Sequence, residues 1–188
     1  MALLTKRVIM TTFQQMLEEM PFDKITVSAL VRRCQISSNT FYYHYQDIYA
    51  LLDVWCRTAI GRFVYDENGN LADWKDATKQ MLRACKTHPA IIYHIFNSLS
   101  RDAAERFIFT LTDDIFSHMI QLADENHVLS DGRLREMSAF CRYAYIGFFM
   151  QFIWNRMSND IDESVDRLAV LFETFVAACI RQDAAAQA

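Results

Sequence analysis

The chain has few of the residues that interrupt regular secondary structure. Only four glycines and two prolines occur among 188 residues. A fold of many strands needs turn residues every few positions, so this scarcity argues against a sheet-rich protein. With 52% hydrophobic residues, the chain is still apolar enough to bury a sizeable core. The sequence therefore predicts an all-α fold.

Other absences narrow the class of protein. The five cysteines are odd in number and have no C-x-x-C spacing, which predicts buried thiols in a reducing cytoplasm. The most apolar run, Tyr143 to Trp154, is too short to span a bilayer, and no secretory segment follows Lys6 and Arg7. No nucleophile elbow, phosphate loop or paired-carboxylate site occurs, so neither an enzyme nor a cofactor is predicted.

Metal binding is not predicted either. Asp114 and His118 lie one helical turn apart, and His94 is a further candidate ligand. No third ligand comes at a diagnostic spacing, however.

Charge is distributed unevenly along the chain. The formal net charge is -4, yet the first 46 residues carry five basic and three acidic side chains. A basic head on an acidic body is typical of a DNA reader with a separate regulatory part. Ordinary scatter of charge would give the same small excess, so both interpretations remain open.

The segment from Thr26 to Asp47 has the residue order of two short helices joined by a turn. Leu30, Val31 and Cys34 recur at the spacing of a buried helical stripe, and Thr26 is placed to cap that helix. Arg32 and Arg33 then face water or a polyanion. After the turn, Ser37 can cap a second helix with Phe41 and Tyr45 buried, and Asp47 can cap a third. The other faces of the second helix carry hydrogen-bonding groups and flat rings.

This layout is that of a helix-turn-helix, whose second helix enters the DNA major groove. The string NTFYYHYQDIYALL, from Asn39 to Leu52, resembles the recognition segment of the TetR family of bacterial regulators. It is most similar to the branch containing dihydroxyacetone-kinase regulators. The specific resemblance covers about the first quarter of the chain, and beyond it only the helix pattern is similar.

The resemblance implies a three-helix DNA-binding head at residues 1–46, a helical regulatory and dimerisation body at 47–182, and a disordered tail at 183–188. It also implies a cytoplasmic transcriptional regulator, expected to be a repressor, that binds a palindromic double-stranded operator as a homodimer. A small molecule or a partner protein would control it through the body. A different class of function stays open: a helical dimer that acts through protein partners, or binds hydrophobic ligands, without binding DNA.

Two positions depart from the family pattern. The family usually has glycine in the turn where this chain has Gln35, so the turn is expected to be reshaped. The family commonly has a phosphate-binding lysine where this chain has Ile48.

Candidate DNA contacts come from the first helix, from the start of the second and from the recognition helix. That helix has no Arg or Lys to pair with guanine, which predicts an operator rich in A·T at the contacted steps. The candidates are Lys6, Arg7, Thr26, Ser28, Ser37, Ser38, Asn39, Thr40, Tyr42, Tyr43 and His44.

In the body, helices are predicted at 48–64, 71–86, 89–98, 101–126, 134–157 and 162–182. Its aromatic and Met residues are either core or the lining of an effector pocket: Trp55, Trp74, Tyr93, Phe96, Phe107, Phe116, Met119, Tyr145 and Phe149. The last two helices are apolar around most of their circumference, which indicates either a central core or a dimer interface. The interface candidates are Phe148, Phe152, Leu168, Leu171, Phe172 and Phe175.

Overall fold

The computed structural model describes residues 2–65 and 68–187, without the side chains of residues 2, 110, 111, 113, 114 and 187. Within these ranges lie ten α-helices. Their bounds are α1 Ala2–Glu19, α2 Val27–Cys34, α3 Ser38–His44, α4 Ile48–Val64, α5 Trp74–Thr87, α6 Pro89–Phe96, α7 Arg101–Leu111, α8 Asp113–Ala123, α9 Asp131–Trp154 and α10 Ile161–Gln187.

The all-α prediction is confirmed. Apart from a single 3-10 turn at Phe22–Lys24, the described residues outside the helices hold only an isolated bridge between Tyr65 and Leu71. Between the two bridged residues the chain runs through 66–70, of which residues 66 and 67 lie outside the described part of the chain. No helix in the described ranges is both long and apolar enough to cross a membrane.

The chain divides into two compact units. One holds residues 1–61 and 85–104, and the other holds residues 62–84 and 105–188. The predicted head, residues 1–46, lies within the first unit, which also contains most of α4 and all of α6. The division at residue 46 stays a prediction.

The first unit is built on the buried face of α1. Ile9, Phe13 and Leu17 are fully buried, and Phe13 packs edge-on against Phe22 at 6.3 Å between ring centroids. Val8, next to Ile9 in the sequence, is 38% exposed and lies at the edge of this buried face. Helix α6 contacts α1 through His94, whose Nδ1 lies 2.7 Å from the Leu17 carbonyl oxygen.

The core of the second unit is aromatic. Trp74, Phe116, Tyr145 and Phe172 are buried together, with ring centroids 5.4–6.0 Å apart for the contacting pairs. Each ring comes from a different helix, α5, α8, α9 and α10 respectively, so this cluster holds the four helices together. The Tyr145 hydroxyl lies 3.3 Å from Thr78 Oγ1, which gives the buried phenol a polar partner.

The single helix predicted for residues 101–126 is wrong. The structure divides it into α7 and α8 at Thr112, whose Oγ1 donates to the carbonyl oxygen of Ile108 at 3.0 Å. Such a hydroxyl bond to the preceding turn competes with the helical backbone pattern and bends helices. Leu122, near the end of α8, is 66% exposed.

Helix α10 continues to Gln187, within the segment predicted as a disordered tail, and residue 188 lies outside the described part of the chain. Asp183 accepts a hydrogen bond from Arg133 Nε of α9 at 3.2 Å, which ties the end of α10 to the start of α9. Near its start, α10 is joined to α5 by ion pairs, Lys79 with Asp166 at 2.6 Å and Arg83 with Asp162 at 2.7 Å. These pairs fix how the two helices lie side by side.

Candidate functional site

The first helix of the predicted helix-turn-helix forms as its sequence indicates. Thr26 Oγ1 accepts from the backbone N–H of Ala29 at 3.2 Å, so Thr26 caps α2 as predicted. Leu30, Val31 and Cys34 are buried. Helix α2 therefore presents its apolar stripe to the core of the first unit, and Thr26 and Ser28 at its start are exposed.

The residue after α2 has the left-handed backbone conformation typical of such turns, although it is not glycine. Gln35 has φ 56° and ψ 40°, and the turn is closed by a bond from Ile36 N to the Val31 carbonyl at 3.0 Å. This bond and the left-handed residue are the features of a helix end that normally favours glycine. The expected reshaping of the turn is absent, because Gln35 adopts the strained conformation itself.

Replacing Gln35 with glycine is expected to raise the free energy of unfolding by about 1 kcal/mol, because glycine reaches positive φ without steric cost. The matched control is Gln15→Gly, since Gln15 is exposed inside α1. There glycine should lower stability by about 1 kcal/mol. Urea unfolding of the two variants measures both changes, and a destabilised Gln35→Gly protein would contradict the argument.

The second helix, α3, separates buried rings from exposed groups. Phe41 is fully buried and Tyr45, just past the helix end, is 5% exposed. On the other side Tyr42 and Tyr43 are 56% and 80% exposed. Of the remaining predicted contacts, Ser37, Ser38 and Asn39 are exposed, and Thr40 and His44 are half-buried.

Two of the predicted hydroxyl contacts are already engaged with each other. Ser37 Oγ accepts from the backbone N–H of Thr40 at 3.1 Å and lies 2.8 Å from Thr40 Oγ1. Both residues therefore hold the start of α3 in place. Ser38, Asn39, Tyr42 and Tyr43 form an outward-facing group, which we call the α3 face.

An ion pair that the sequence did not suggest braces this region. Both terminal nitrogens of Arg33 lie 2.5 Å from the carboxylate oxygens of Glu19 in α1. These hydrogen bonds hold the pKa of Glu19 below its ordinary value. Arg33 is exposed, as expected, and it also links α1 and α2. Because the two residues are 14 positions apart, no local spacing indicates the pair.

Three of the other basic side chains within residues 1–46 are available to a ligand. Lys6, Arg7 and Arg32 are exposed, and none of them forms an ion pair with another residue in the described ranges. They provide positive charge without belonging to α3.

One exposed ring near α3 was not predicted. Tyr49 follows the cap at Asp47, whose Oδ1 accepts from Ala50 N at 2.8 Å, and it is 59% exposed. Its ring rests edge-on against Phe22 with centroids 5.1 Å apart. A tyrosine two residues after a helix cap at the end of the motif was the signal that could have identified it.

The predicted effector residues are divided between the two units. Trp55, Tyr93 and Phe96 belong to the first unit, and the other six belong to the second. Within the second unit Trp74, Phe116 and Tyr145 fill its aromatic core, and Phe149 is 7% exposed. Phe107 is half-buried on α7. The rings that the structure brings together are thus packed against one another.

A cleft of about 290 Å³ opens beside this core, between α8 and α10. Only Met119 of the predicted effector residues lines it. Its remaining lining is Ala123, Glu173, Val176, Ala177, Ile180 and Arg181. The cleft is mainly apolar with a charged residue of each sign at α10.

The predicted interface residues divide between the core and the surface. Phe152 and Phe172 are 3% and 2% exposed, so packing within the chain already covers them. Phe148, Leu168 and Phe175 are half-buried. Leu171 is 66% exposed.

The cysteines lie apart from these surfaces. All five are buried, and burial raises the pKa of Cys85 and Cys141 to about 12. No group of three metal-ligating side chains comes together in the described ranges. Asp114, one of the candidate ligands, has its side chain outside the description.

A family model of a transcriptional regulator C-terminal region, TetR_C_8, matches residues 72–174. Three solved structures are similar over most of their length. The dihydroxyacetone kinase operon activator DhaS has a TM-score of 0.63 at 16% identity, covering 94% of this chain and 98% of that one. RolR, solved without ligand, has a TM-score of 0.58 at 14% identity, covering 95% and 96%.

The third is a protein from Shewanella sp. PV-4 assigned to the tetR family of transcription regulators. Its TM-score is 0.52 at 14% identity, covering 90% of this chain and 96% of that one. No curated protein matches the sequence. At these identities the structural likeness concerns the fold.

Proposed function

The chain belongs to the TetR family of transcriptional regulators, and on that premise we propose that it binds a palindromic DNA operator as a homodimer and represses transcription. An effector bound to the C-terminal part would release it. For such control the effector must bind the DNA-competent state and the released state with different affinities. An effector with equal affinity for both states does not change their populations.

The proposal of DNA binding is based on the α3 face. Its four residues are exposed on a seven-residue helix whose opposite side is anchored by buried Phe41. Tyr43 is 80% exposed, and its ring contacts the neighbouring His44 with 4.9 Å between ring centroids. A short rigid helix with amide, hydroxyl and phenol groups facing outward suits a DNA major groove.

The chemistry of this face favours A·T pairs. Asn39 can bond to the N6 and N7 atoms of adenine, and an exposed ring can contact a thymine methyl group. No Arg or Lys occurs in α3, so the usual partner of guanine is missing. Lys6, Arg7 and Arg32 would contact phosphates, and Tyr49 could take the place of the lysine that the family commonly has at the Ile48 position.

The homodimer is proposed to form through α9 and α10. Phe152 and Phe172 support this surface from inside, while Leu171 and the half-buried Phe148, Leu168 and Phe175 contribute at its edge. In a two-fold dimer the same patch occurs on both subunits. Half-sites of the operator would then lie about one helical turn apart or slightly more.

The effector is proposed to act on the second unit. The cleft between α8 and α10 is large enough for a small, mainly apolar molecule. A partner protein is the other candidate, as the resemblance of residues 39–52 to the dihydroxyacetone-kinase regulator branch implies. A thermal-shift screen of the purified chain separates the two, because a small molecule that binds the folded state raises its melting temperature.

The test of DNA binding is a selection from a random duplex library, followed by affinity measurements on the selected duplex as salt is raised. We expect a palindrome with A·T pairs at the contacted steps. Its affinity should fall steeply with salt, as phosphate contacts require. A G-rich half-site would contradict the A·T proposal, and no binding at low salt would favour the rival helical dimer without DNA binding.

A further inference from the structure

Small side chains keep the cleft between α8 and α10 open. Ala123 of α8 and Ala177 of α10 both line it, and each side chain ends at a methyl group. Ala123 is exposed and Ala177 is half-buried. A longer apolar side chain at either position would extend into the space between the two helices, which measures about 290 Å³.

The apolar wall of the cleft is anchored in the core of the second unit. Met119 and Ile180 pack against the buried cluster that contains Ile120, Met137 and Val176, and Val176 itself lines the cleft. Val176 is 3% exposed and Ile120 is fully buried. A wall that is held by core contacts keeps its shape without a ligand, which lowers the free-energy cost of binding one.

Five residues of α10 form one side of the cleft. Those residues are Glu173, Val176, Ala177, Ile180 and Arg181, and steps of one, three or four positions place them on one face of the helix. The two charged residues are at the ends of this face, eight positions apart, which corresponds to about 12 Å along the helix axis. A small molecule with one charged group therefore pairs with only one of them.

The two charged residues differ in how they are paired. Glu173 Oε1 accepts a hydrogen bond from Lys75 Nζ of α5 at 3.2 Å, and this bond raises the pKa of Lys75. Arg181 is exposed and has no hydrogen bond or ion pair with any residue in the described part of the chain. The negative charge at the cleft is thus neutralised, whereas the positive charge remains for a ligand.

These features suit one class of small molecule. A guanidinium group presents two parallel N–H donors, which match the two oxygens of a carboxylate. The lining between the two charged residues is apolar, so a hydrocarbon body fits there without leaving polar groups unpaired. The volume is at the small end of the range for ligand pockets. An ammonium ligand would have to displace Lys75 from Glu173.

We propose that the cleft binds a small apolar molecule with a single carboxylate. The carboxylate oxygens accept hydrogen bonds from Arg181, and the hydrocarbon part lies between Ala123 and Ala177. The proposal rests on the effector control proposed above and names the chemical class of the effector. Because Arg181 is exposed to water, its charge contributes mainly selectivity, and burial of the hydrocarbon part contributes most of the affinity.

Matched pairs of ligands test the charge. Isothermal titration calorimetry of the purified chain measures the dissociation constants of benzoate, 3-phenylpropanoate and hexanoate, each beside the primary amide of the same skeleton. The amide keeps the shape of the molecule but carries no charge. We expect at least one carboxylate to bind, and to bind about tenfold more tightly than its amide. No binding of any of the three carboxylates at millimolar concentration, or amides that bind as tightly, overturns the proposal.

Substitution of Arg181 tests the partner of the carboxylate. In Arg181→Gln the dissociation constant of the carboxylate should rise about tenfold, to that of the amide, while the constant of the amide stays unchanged. The control is Arg167→Gln, which removes a positive charge from an exposed position of α10 that is 14 residues earlier, about 21 Å along the helix axis. It should change neither constant. A preference for the carboxylate that persists in Arg181→Gln overturns the assignment of Arg181.

Filling the cleft tests its position. Ala177→Leu and Ala123→Leu each place a larger side chain in the cleft, one from each wall, and both should weaken the binding of carboxylate and amide alike. Circular dichroism and thermal melts show whether each variant keeps its fold. Ala123 is exposed, so its variant is expected to fold normally even if Ala177→Leu does not. Undiminished binding by folded Ala123→Leu overturns the site.

The binding site and the effector role can fail separately. If the carboxylate binds at Arg181 but leaves the operator affinity unchanged, the effector role is overturned and the site remains. If the operator is released by a molecule that binds Arg181→Gln and Ala123→Leu as tightly as the unsubstituted chain, the site is overturned and effector control remains.

Discussion

Replacing Asn39 and Tyr43 together with alanine is expected to lower the affinity for the selected operator by about thirtyfold or more. Each well-placed base contact contributes about 1–3 kcal/mol of discrimination, and two such contacts would be lost together. Both side chains are exposed, so the free energy of unfolding should change by less than about 0.5 kcal/mol. Fluorescence anisotropy with labelled duplex and urea unfolding measure the two effects.

Two further substitutions test whether the loss of affinity is specific to the α3 face. Tyr65→Ala removes a tyrosine that is 44% exposed but lies outside the helix-turn-helix, and it should leave DNA affinity unchanged. Arg32→Ala should weaken binding to all duplexes alike and reduce the salt dependence, because a phosphate contact carries no base information. Normal operator binding by the Asn39 and Tyr43 double variant would remove the α3 face from the DNA interface.

Phe116→Ala is expected to cause the largest loss of stability, about 3–5 kcal/mol. Phe116 is 1% exposed and contacts Trp74, Tyr145 and Phe172. Its removal leaves a cavity at the point where α5, α8, α9 and α10 meet. The measurement is urea unfolding at one fixed protein concentration, since the stability of a dimer depends on concentration.

The control lies on the same helix. Leu122→Ala in α8 removes a large apolar side chain that is 66% exposed, and it should change stability by less than about 0.5 kcal/mol. If Phe116→Ala cost no more than Leu122→Ala, the aromatic cluster would be loosely packed. It could then serve as the effector pocket that the sequence indicated. A large loss supports the core role instead.

The predicted effector residues show what a sequence pattern cannot distinguish. Helical periodicity identifies which face of a helix is apolar, but an aromatic residue on that face can fill a core or line a cavity. Trp74, Phe116 and Tyr145 are in the core because four helices bring them within ring contact. Met119 lines the cleft only because α8 and α10 leave space beside it.

The chemistry of neighbouring residues was sufficient to predict the helices and caps of the helix-turn-helix. Thr26, Ser37 and Asp47 cap their helices as predicted, because a cap depends on a side chain and an N–H only two or three residues away. Helix α4 begins and ends at the residues predicted from its spacing. The all-α class follows from the same local signals and from the scarcity of Gly and Pro.

Only the tertiary structure decided the contacts between distant residues. Exposed Arg33 is bound to Glu19 of α1, and Phe152 and Phe172 are covered by packing within the chain. The sequence by itself determined which residues form helices and where the helices are capped, because those interactions are short in range. Which apolar faces are covered depends on how helices pack, and residues far apart in the chain determine that packing.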